Sequence, residues 1–277
     1  MGRITARRKV VRSRGQGTRA SVVDTLAVEE PLEIRRGREV LTVTMRTPGA
    51  DFDLVAGWLV GEGVLREAGD LLSMSYCPGL DERGRQTYNV VEVALADHLD
   101  TSGPPRTTWA SSACGVCGTA SLESVRVASP YDVAADDLRV DGVVLAALPD
   151  RLRKAQPVFD HTGGLHAAGL FTRNGDLLCV REDVGRHNAV DKVVGWALRG
   201  GFLPLQGHVL QVSGRASFEL VQKAAVAGIP VLSAVSAPSS LAADLAEENG
   251  LTLAGFVRNG GFNLYSRPER VTTAPDR

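Results

Sequence analysis

The sequence predicts an α/β protein, α+β overall, with a smaller β-rich N-terminal part and a C-terminal core on a mixed, largely parallel sheet. Three observations carry that expectation. From Thr162 onward, apolar runs of strand length alternate with helical runs of about ten residues, the pattern of β-α-β units. Before residue 110, short β-like runs are separated by charged or glycine-containing turns. The chain has 277 residues, 44% apolar and 23% charged, enough for a sizeable core.

Residues 1–20 read as a disordered basic tail, because Arg3, Arg7, Arg8, Lys9, Arg12, Arg14 and Arg19 face no acid. An N-terminal subdomain spans 21–110. In it, Ser21–Pro31 and Glu39–Thr47 suggest strands around the turn Arg35-Arg36-Gly37-Arg38, and Asp51 or Asp53 can cap a helix through Phe52, Leu54, Val55, Trp58 and Leu59. Leu71–Tyr76 and Thr87–Leu95 add two strands. Residues 111–160 hold a Cys-x-x-Cys loop and a connecting helix, Asp141–Gln156, which Pro149 should break or restart. The core, 161–270, begins with strands His166–Thr172 and Asp176–Glu182 around Asn174-Gly175. Helix Asn188–Leu198, strand Gly207–Val212, helix Ser217–Ala227, strand Pro230–Val235, helix Ser239–Glu248 and a last strand Leu251–Val257 follow. Residues 271–277 form a tail.

Composition excludes several classes. A formal net charge of -1 creates no global field for nucleic acid. Arg7-Arg8 resembles a twin-arginine signal, but Val10-Val11 runs into Arg12-Ser13-Arg14 and not into an apolar stretch, so export is not expected. No segment reaches the roughly 18–20 apolar residues of a membrane span. Four cysteines (Cys77, Cys114, Cys117, Cys179) are no disulfide framework in a chain this long, and the expected compartment is the cytoplasm.

Ser111-Ser-Ala-Cys114-Gly-Val-Cys117-Gly118 is the first chemical motif. A zinc knuckle needs two further ligands, and no second Cys-x-x-Cys exists. Dithiol exchange favours a first cysteine at a helix N-terminus, which flanking glycines oppose. A third reading keeps the thiols uncovered and lets a thiolate accept sulfur as a persulfide and present it elsewhere. Burial as two small residues is the bland alternative, and spacing alone does not choose.

Three loops follow strands of the core and open helices. Arg181-Glu-Asp-Val-Gly-Arg-His187-Asn-Ala-Val-Asp-Lys crowds seven ionisable groups where parallel sheets bind ligands, although a solvated turn would look similar. In Gln211-Val-Ser213-Gly214-Arg215-Ala-Ser217, backbone N–H groups, hydroxyls and Arg215 suit an anion at a helix N-terminus; the Gly-Lys-Ser/Thr ending of a Walker loop is absent. Ser236-Ala-Pro-Ser-Ser and Phe256-Val-Arg-Asn-Gly-Gly continue the theme. Together the small, cationic loops describe a pocket for a phosphorylated or pyrophosphate-bearing ligand. His166, after Thr162-Gly-Gly-Leu, reads as a satisfied half-buried histidine.

These segments, with Phe159-Asp-His-Thr-Gly-Gly-Leu-His166-Ala-Ala-Gly-Leu-Phe171 and the closing Phe256-Val-Arg-Asn-Gly-Gly-Phe-Asn-Leu-Tyr265, resemble the formate dehydrogenase accessory sulfurtransferase family over residues 21 to 270. The resemblance implies a sulfurtransferase. It would take persulfide sulfur from a cysteine desulfurase and transfer it to the molybdenum bis(molybdopterin guanine dinucleotide) cofactor before insertion into the formate dehydrogenase catalytic subunit. It further implies a homodimer, Cys114 as the persulfide carrier with Cys117 as partner, and cofactor contacts from Phe256, Val257, Arg258, Asn259, Gly260 and Gly261. Guanine nucleotides such as GDP are implied as occupants of the same site. Ser213, Gly214, Arg215 and His187 join the pocket on their own chemistry. The resemblance also implies a cytidine deaminase-like core that has lost its zinc: no Glu stands two residues after His187, and Ser213–Ser217 replaces the paired cysteines. The alternative is a non-catalytic cofactor-binding chaperone.

Overall fold

The computed structural model describes residues 4–14, 17–80, 84, 86–99 and 126–273. Strands β1 (Thr5–Arg14) and β2 (Thr18–Ala27) form an antiparallel hairpin where the sequence predicts a disordered tail. Its register pairs Val10 with Val22 and Lys9 with Val23. β-branched residues at facing positions support a ladder that the run of cations hides in a charge count. The first expected strand is split at Val28-Glu29, and β3 (Glu30–Arg36) pairs with β4 (Glu39–Arg46) around Gly37, whose φ of 58° suits the turn.

Helix α1 (Asp51–Gly61) follows, with neither Asp51 nor Asp53 capping it. Asp51 instead binds the buried Arg46 guanidinium at 3.1 Å, and Asp53 accepts from Arg181 at 2.8 Å. β5 (Leu71–Tyr76) and β6 (Val90–Leu95) complete a four-stranded sheet of order β4-β3-β6-β5.

β7 (Val140–Asp141) leads into α2 (Gly142–Lys154), whose first turn is capped by Asp141 accepting from the Val143 N–H at 2.7 Å. Pro149 sits inside this helix without breaking it. Losing a helical hydrogen bond there costs about 3 kcal/mol, and burial of Leu145, Leu148 and Leu152, about 1.5–3 kcal/mol each, outweighs it. After α3 (Pro157–Thr162) come β8 (His166–Thr172), β9 (Leu177–Asp183), α4 (Arg186–Arg199), β10 (His208–Val212), α5 (Phe218–Val226), β11 (Val231–Ala234), α6 (Ser240–Glu248) and β12 (Thr252–Arg258). β13 (Gly261–Ser266) and β14 (Val271–Thr272) lie beyond the strand expected to be last.

The central sheet has the order β13-β12-β11-β10-β8-β9. Only β10–β11 and β11–β12 are parallel; the β8–β9, β8–β10 and β12–β13 pairings are antiparallel. The sheet is therefore mixed but not largely parallel, because both flanks are closed by hairpins. Ala167, Phe171, Val209, Val231 and Val257 pack against α2 on one face. Leu170, Leu210, Leu232 and Leu253 share a second cluster with α4, α5 and α6, and that cluster also contains α1 and Leu32, Ile34, Val91 and Val93 of the four-stranded sheet. The N-terminal part and the core thus share one interior.

A glycine pair makes this possible. A Cβ at Gly57 would stand 1.8 Å from the Asp191 carbonyl, and one at Gly195 would stand 1.8 Å from that of Asp53, so antiparallel α1 and α4 touch backbone to backbone. Among the described residues no helix is long and apolar enough to cross a membrane.

Candidate functional site

One edge of the central sheet gathers the predicted loops. His166, which starts β8, faces Asp183, which ends β9; Val212, which ends β10, faces Ala168 of β8 and Ala234 of β11. Strands β9, β10, β11 and β12 therefore deliver their carboxyl ends to the same edge, and α4, α5 and α6 begin there. Backbone hydrogen bonds tie the loops together: Ser236 donates to the Gly214 carbonyl at 3.3 Å, and Phe256 donates to the Ser236 carbonyl at 3.2 Å. Two strand spacings, about 10 Å, separate the Gly214 and Phe256 loops.

On the α4–α5 side, His187 Nε2 lies 3.1 Å from Ser217 Oγ and 2.9 Å from Glu219 Oε2. The hydrogen bond from His187 is the main cause holding the Glu219 carboxyl below its usual range. Ser213 Oγ accepts from the Ala167 N–H at 2.9 Å and stands 3.5 Å from His166 Nδ1. A Cβ at Gly214 would come within 3.3 Å of the same ring, so Gly214 permits His166 its place. Burial, then the nearby Arg186 and His187, lowers the His166 pKa, leaving a neutral ring amid cations. Arg215 is exposed and adds to that positive surroundings.

Arg186 is the residue that sequence reasoning left out of the site, although it stands in the quoted Arg181–Lys192 motif. Its Nε is buried without a hydrogen-bond partner, the only such buried side-chain polar atom among the described residues. A buried donor left unpaired costs about 1–3 kcal/mol, so this atom calls for an acceptor, a water or a ligand. The signal was its position at the first residue of a helix that opens beside a sheet edge.

On the other side, the Phe256–Gly261 segment is a β-hairpin and not a loop. Phe256, Asn259 and Gly260 take φ values of 53°, 53° and 77°. Non-glycine residues in the left-handed region store strain that clusters at functional sites. The Arg258 guanidinium lies 5.5 Å from the Phe256 ring centroid, presenting an exposed cation beside an exposed aromatic face. Val257 does not share this exposure; its side chain is fully buried in the α2-facing cluster.

Cys114 and Cys117 lie outside the described residues. The chain is described again from Arg126, where the Val127 N–H donates to Gln222 Oε1 at 2.9 Å and Arg126 pairs with Glu248 at 2.6 Å. Gln222 belongs to α5, whose first turn carries Glu219 at the sheet edge. Of the remaining thiols, Cys77 is half-buried, and burial pushes that of Cys179 up to about 11. Among the described residues no group of three or more His, Cys, Asp or Glu side chains could hold a metal ion.

Fold and site together define an α+β protein with a cationic edge on its central sheet, where Arg186, His187, Arg215 and Arg258 gather. The chain belongs to the FdhD/NarQ family, whose sequence profile matches residues 27–272. A protein from Streptomyces avermitilis named Sulfur carrier protein FdhD is 56% identical over 276 residues, covering 98% of this chain and 97% of its own. Its namesakes from Streptomyces coelicolor and Nocardia farcinica are each 57% identical, over 274 and 272 residues; each alignment covers 98% of this chain, with 97% and 96% of theirs. The crystal structure of a protein from Desulfotalea psychrophila described as a formate dehydrogenase accessory protein superposes with a TM-score of 0.76 at 26% identity. The match covers 98% of this chain and 100% of that one.

Proposed function

We propose that this protein is a cytoplasmic sulfurtransferase serving formate dehydrogenase. In this reading, Cys114 thiolate attacks the outer sulfur of a cysteine desulfurase persulfide. The donor S–S bond breaks, the donor cysteine leaves as thiolate, and Cys114 carries the persulfide with no net oxidation. The sulfur then passes to a molybdenum bis(molybdopterin guanine dinucleotide) substrate seated on the sheet edge, before that cofactor enters the dehydrogenase catalytic subunit. Cys117 is the partner thiol, and the working unit is a homodimer.

The observation that carries the reading is the unpaired Nε of Arg186 beside His166, His187 and Arg215. A diphosphate group supplies the acceptor and the negative charge that this corner favours. Phe256 offers a stacking face and Arg258 a cation 5.5 Å from its ring centroid, about two strand spacings from the Gly214 loop. Reach is consistent: eight residues lie between Cys117 and Arg126, nine Cα steps or up to about 30 Å of extended chain, and Gln222 anchors the next residue one helical turn from Glu219. We read the sheet with α4 and α5 as a cytidine deaminase-like core. Ala189 stands where deaminases carry their catalytic Glu, and Ser213–Ser217 stands in place of their cysteine pair.

Two measurements test this. Incubation with a desulfurase and cysteine should add one sulfur atom by intact mass, reversible by thiol reductant and absent in Cys114→Ala. GDP should bind by calorimetry, and Arg186→Ala should weaken it about 10- to 150-fold, the worth of a charge-assisted hydrogen bond of about 1.5–3 kcal/mol. A fully active Cys114→Ala strain in which Arg215 and Arg258 substitutions still abolish formate dehydrogenase activity would replace sulfur transfer with a non-catalytic cofactor chaperone.

A further inference from the structure

The β1–β2 hairpin has no part in the pocket, yet it is the most strongly charged element of the chain. Between Thr5 and Ala27 it carries Arg7, Arg8, Lys9, Arg12, Arg14 and Arg19 against one acid, Asp24, a formal +5. The whole chain is -1, so the remainder is -6. Charge is segregated onto this ribbon. Arg7, Arg8, Lys9, Arg12 and Arg19 are exposed, and none forms an ion pair with another described residue.

The ribbon is also placed with respect to the pocket. Its root is fixed by the Val28 N–H donating to the Ile4 carbonyl at 2.9 Å and by Ile4 lying against Gly49. Two residues away, the Thr47 N–H donates to Asp183 Oδ2 at 3.2 Å, and Thr47 Oγ1 accepts from the Val184 N–H at 3.2 Å. The arm is therefore rooted on the rim segment that leads into Arg186 and His187. Ten paired residues per strand make it about 30 Å long.

We propose that this hairpin is an electrostatic docking arm for an acidic face of the sulfur-donating protein. The proposal rests on the sulfur-transfer reading above. In that reading the sulfur acceptor is a bound cofactor recognised inside the pocket, so the protein–protein encounter of the loading step is with the donor. A row of exposed cations without an ion pair among the described residues, on an arm rooted at the rim, attracts an acidic surface over a Debye length and orients it toward the rim. Such steering raises the association rate and leaves the chemistry untouched.

The test measures the rate of sulfur loading by a cysteine desulfurase, using intact mass, between about 20 and 500 mM salt. The full-length protein is compared with a variant carrying Arg7→Thr, Arg8→Thr, Lys9→Thr and Arg12→Thr, which keeps strand propensity. A second variant carries Arg7→Lys, Arg8→Lys and Arg12→Lys. At low salt the threonine variant should load about tenfold more slowly and the lysine variant normally, and all three should converge at high salt, because steering is screened. Equal rates at low salt would overturn the arm, and so would a deficit of the same factor at every salt, which marks a folding defect. Tighter binding of duplex DNA than of the donor at 150 mM salt would overturn it in favour of a nucleic-acid arm. A wild-type protein that is never loaded, at any salt, would bring down the sulfur-transfer reading itself.

Discussion

Replacing Asp191 by Asn should destabilise the protein through the charge it leaves behind. Asp191 and Lys223 are 2% and 9% exposed, and their 2.6 Å contact joins α4 to α5 one turn below His187 and Glu219. Removing one partner of a buried pair costs about 3–5 kcal/mol, because the survivor stays desolvated and uncompensated. Asn still offers a carbonyl to the ammonium, so the lower end, about 3 kcal/mol, applies. At roughly 2–4 °C per kcal/mol for a chain of this size, Tm should fall by about 6–12 °C.

The sign of the pH effect separates this cause from mere loss of packing. Without Asp191, desolvation, the largest influence on Lys223, is opposed only by the more distant Glu62 and Glu219; where it wins, the unfolded state binds more protons and stability of the variant rises as pH increases toward 10. Adding Lys223→Met to Asp191→Asn removes the stranded charge and should recover most of the loss. Thermal melts followed by circular dichroism at pH 7 and pH 9.5 measure both effects. A Tm loss under about 2 °C, or no recovery in the double variant, would refute the account.

Other outcomes follow from the same geometry. Because burial depresses the His166 pKa below its unfolded value, stability should fall as pH drops through about 6.5, and His166→Gln should flatten that part of the profile in denaturant titrations. With its thiol pushed up to about 11, Cys179 should resist alkylation at pH 8 until the protein unfolds, as peptide mapping after timed labelling will show. Gly195→Ala forces α1 and α4 apart by more than 1 Å and should cost about 3 kcal/mol by overpacking. Gly164→Ala, whose nearest neighbour would be 3.8 Å away, should leave the melt unchanged.

The core was legible in the sequence where periodicity and caps agreed. His166–Thr172 and Leu71–Tyr76 match their strands residue for residue, and Ser239 caps α6 through the Ala242 N–H at 3.2 Å. The failures have physical causes. Cations outnumber the β-branched residues in Thr5–Arg14, and only their pairing with Thr18–Ala27 shows the ladder. Pro149 signalled a break, but three leucines on one face held the helix. The carboxylates of Asp51 and Asp53 have the right position for caps; long-range partners, Arg46 and Arg181, take them instead. The sequence suggests more parallel pairing than the sheet has, because β8–β9 and β12–β13 are hairpins and alternation of strands and helices cannot reveal which strand pairs with which. Arg186 escaped because an orphaned donor is a property of packing, invisible until neighbours are placed.

Why the cationic corner falls at this edge follows from the connections. Each of α4, α5 and α6 starts just after a strand whose carboxyl end lies there, so three sets of unpaired N–H groups and three positive dipole ends converge. None of the three helices places an acidic side chain at its cap: Gly185, Ser217 and Ser239 precede them, and Ser239 alone caps through its side chain. Glu219, the one acid in those first turns, is spent on His187. Asp183, which accepts from the Gly185 N–H at 2.8 Å, has its charge offset by Lys192 at 2.7 Å, so Arg186, Arg215 and Arg258 leave the edge net positive. A fold that merely needed stable helices would put Asp or Glu at these positions, since each would add about 0.3–1 kcal/mol. Forgoing that stability is what an anion-binding edge requires, and it makes the expected occupant a phosphate-bearing molecule and not a neutral one.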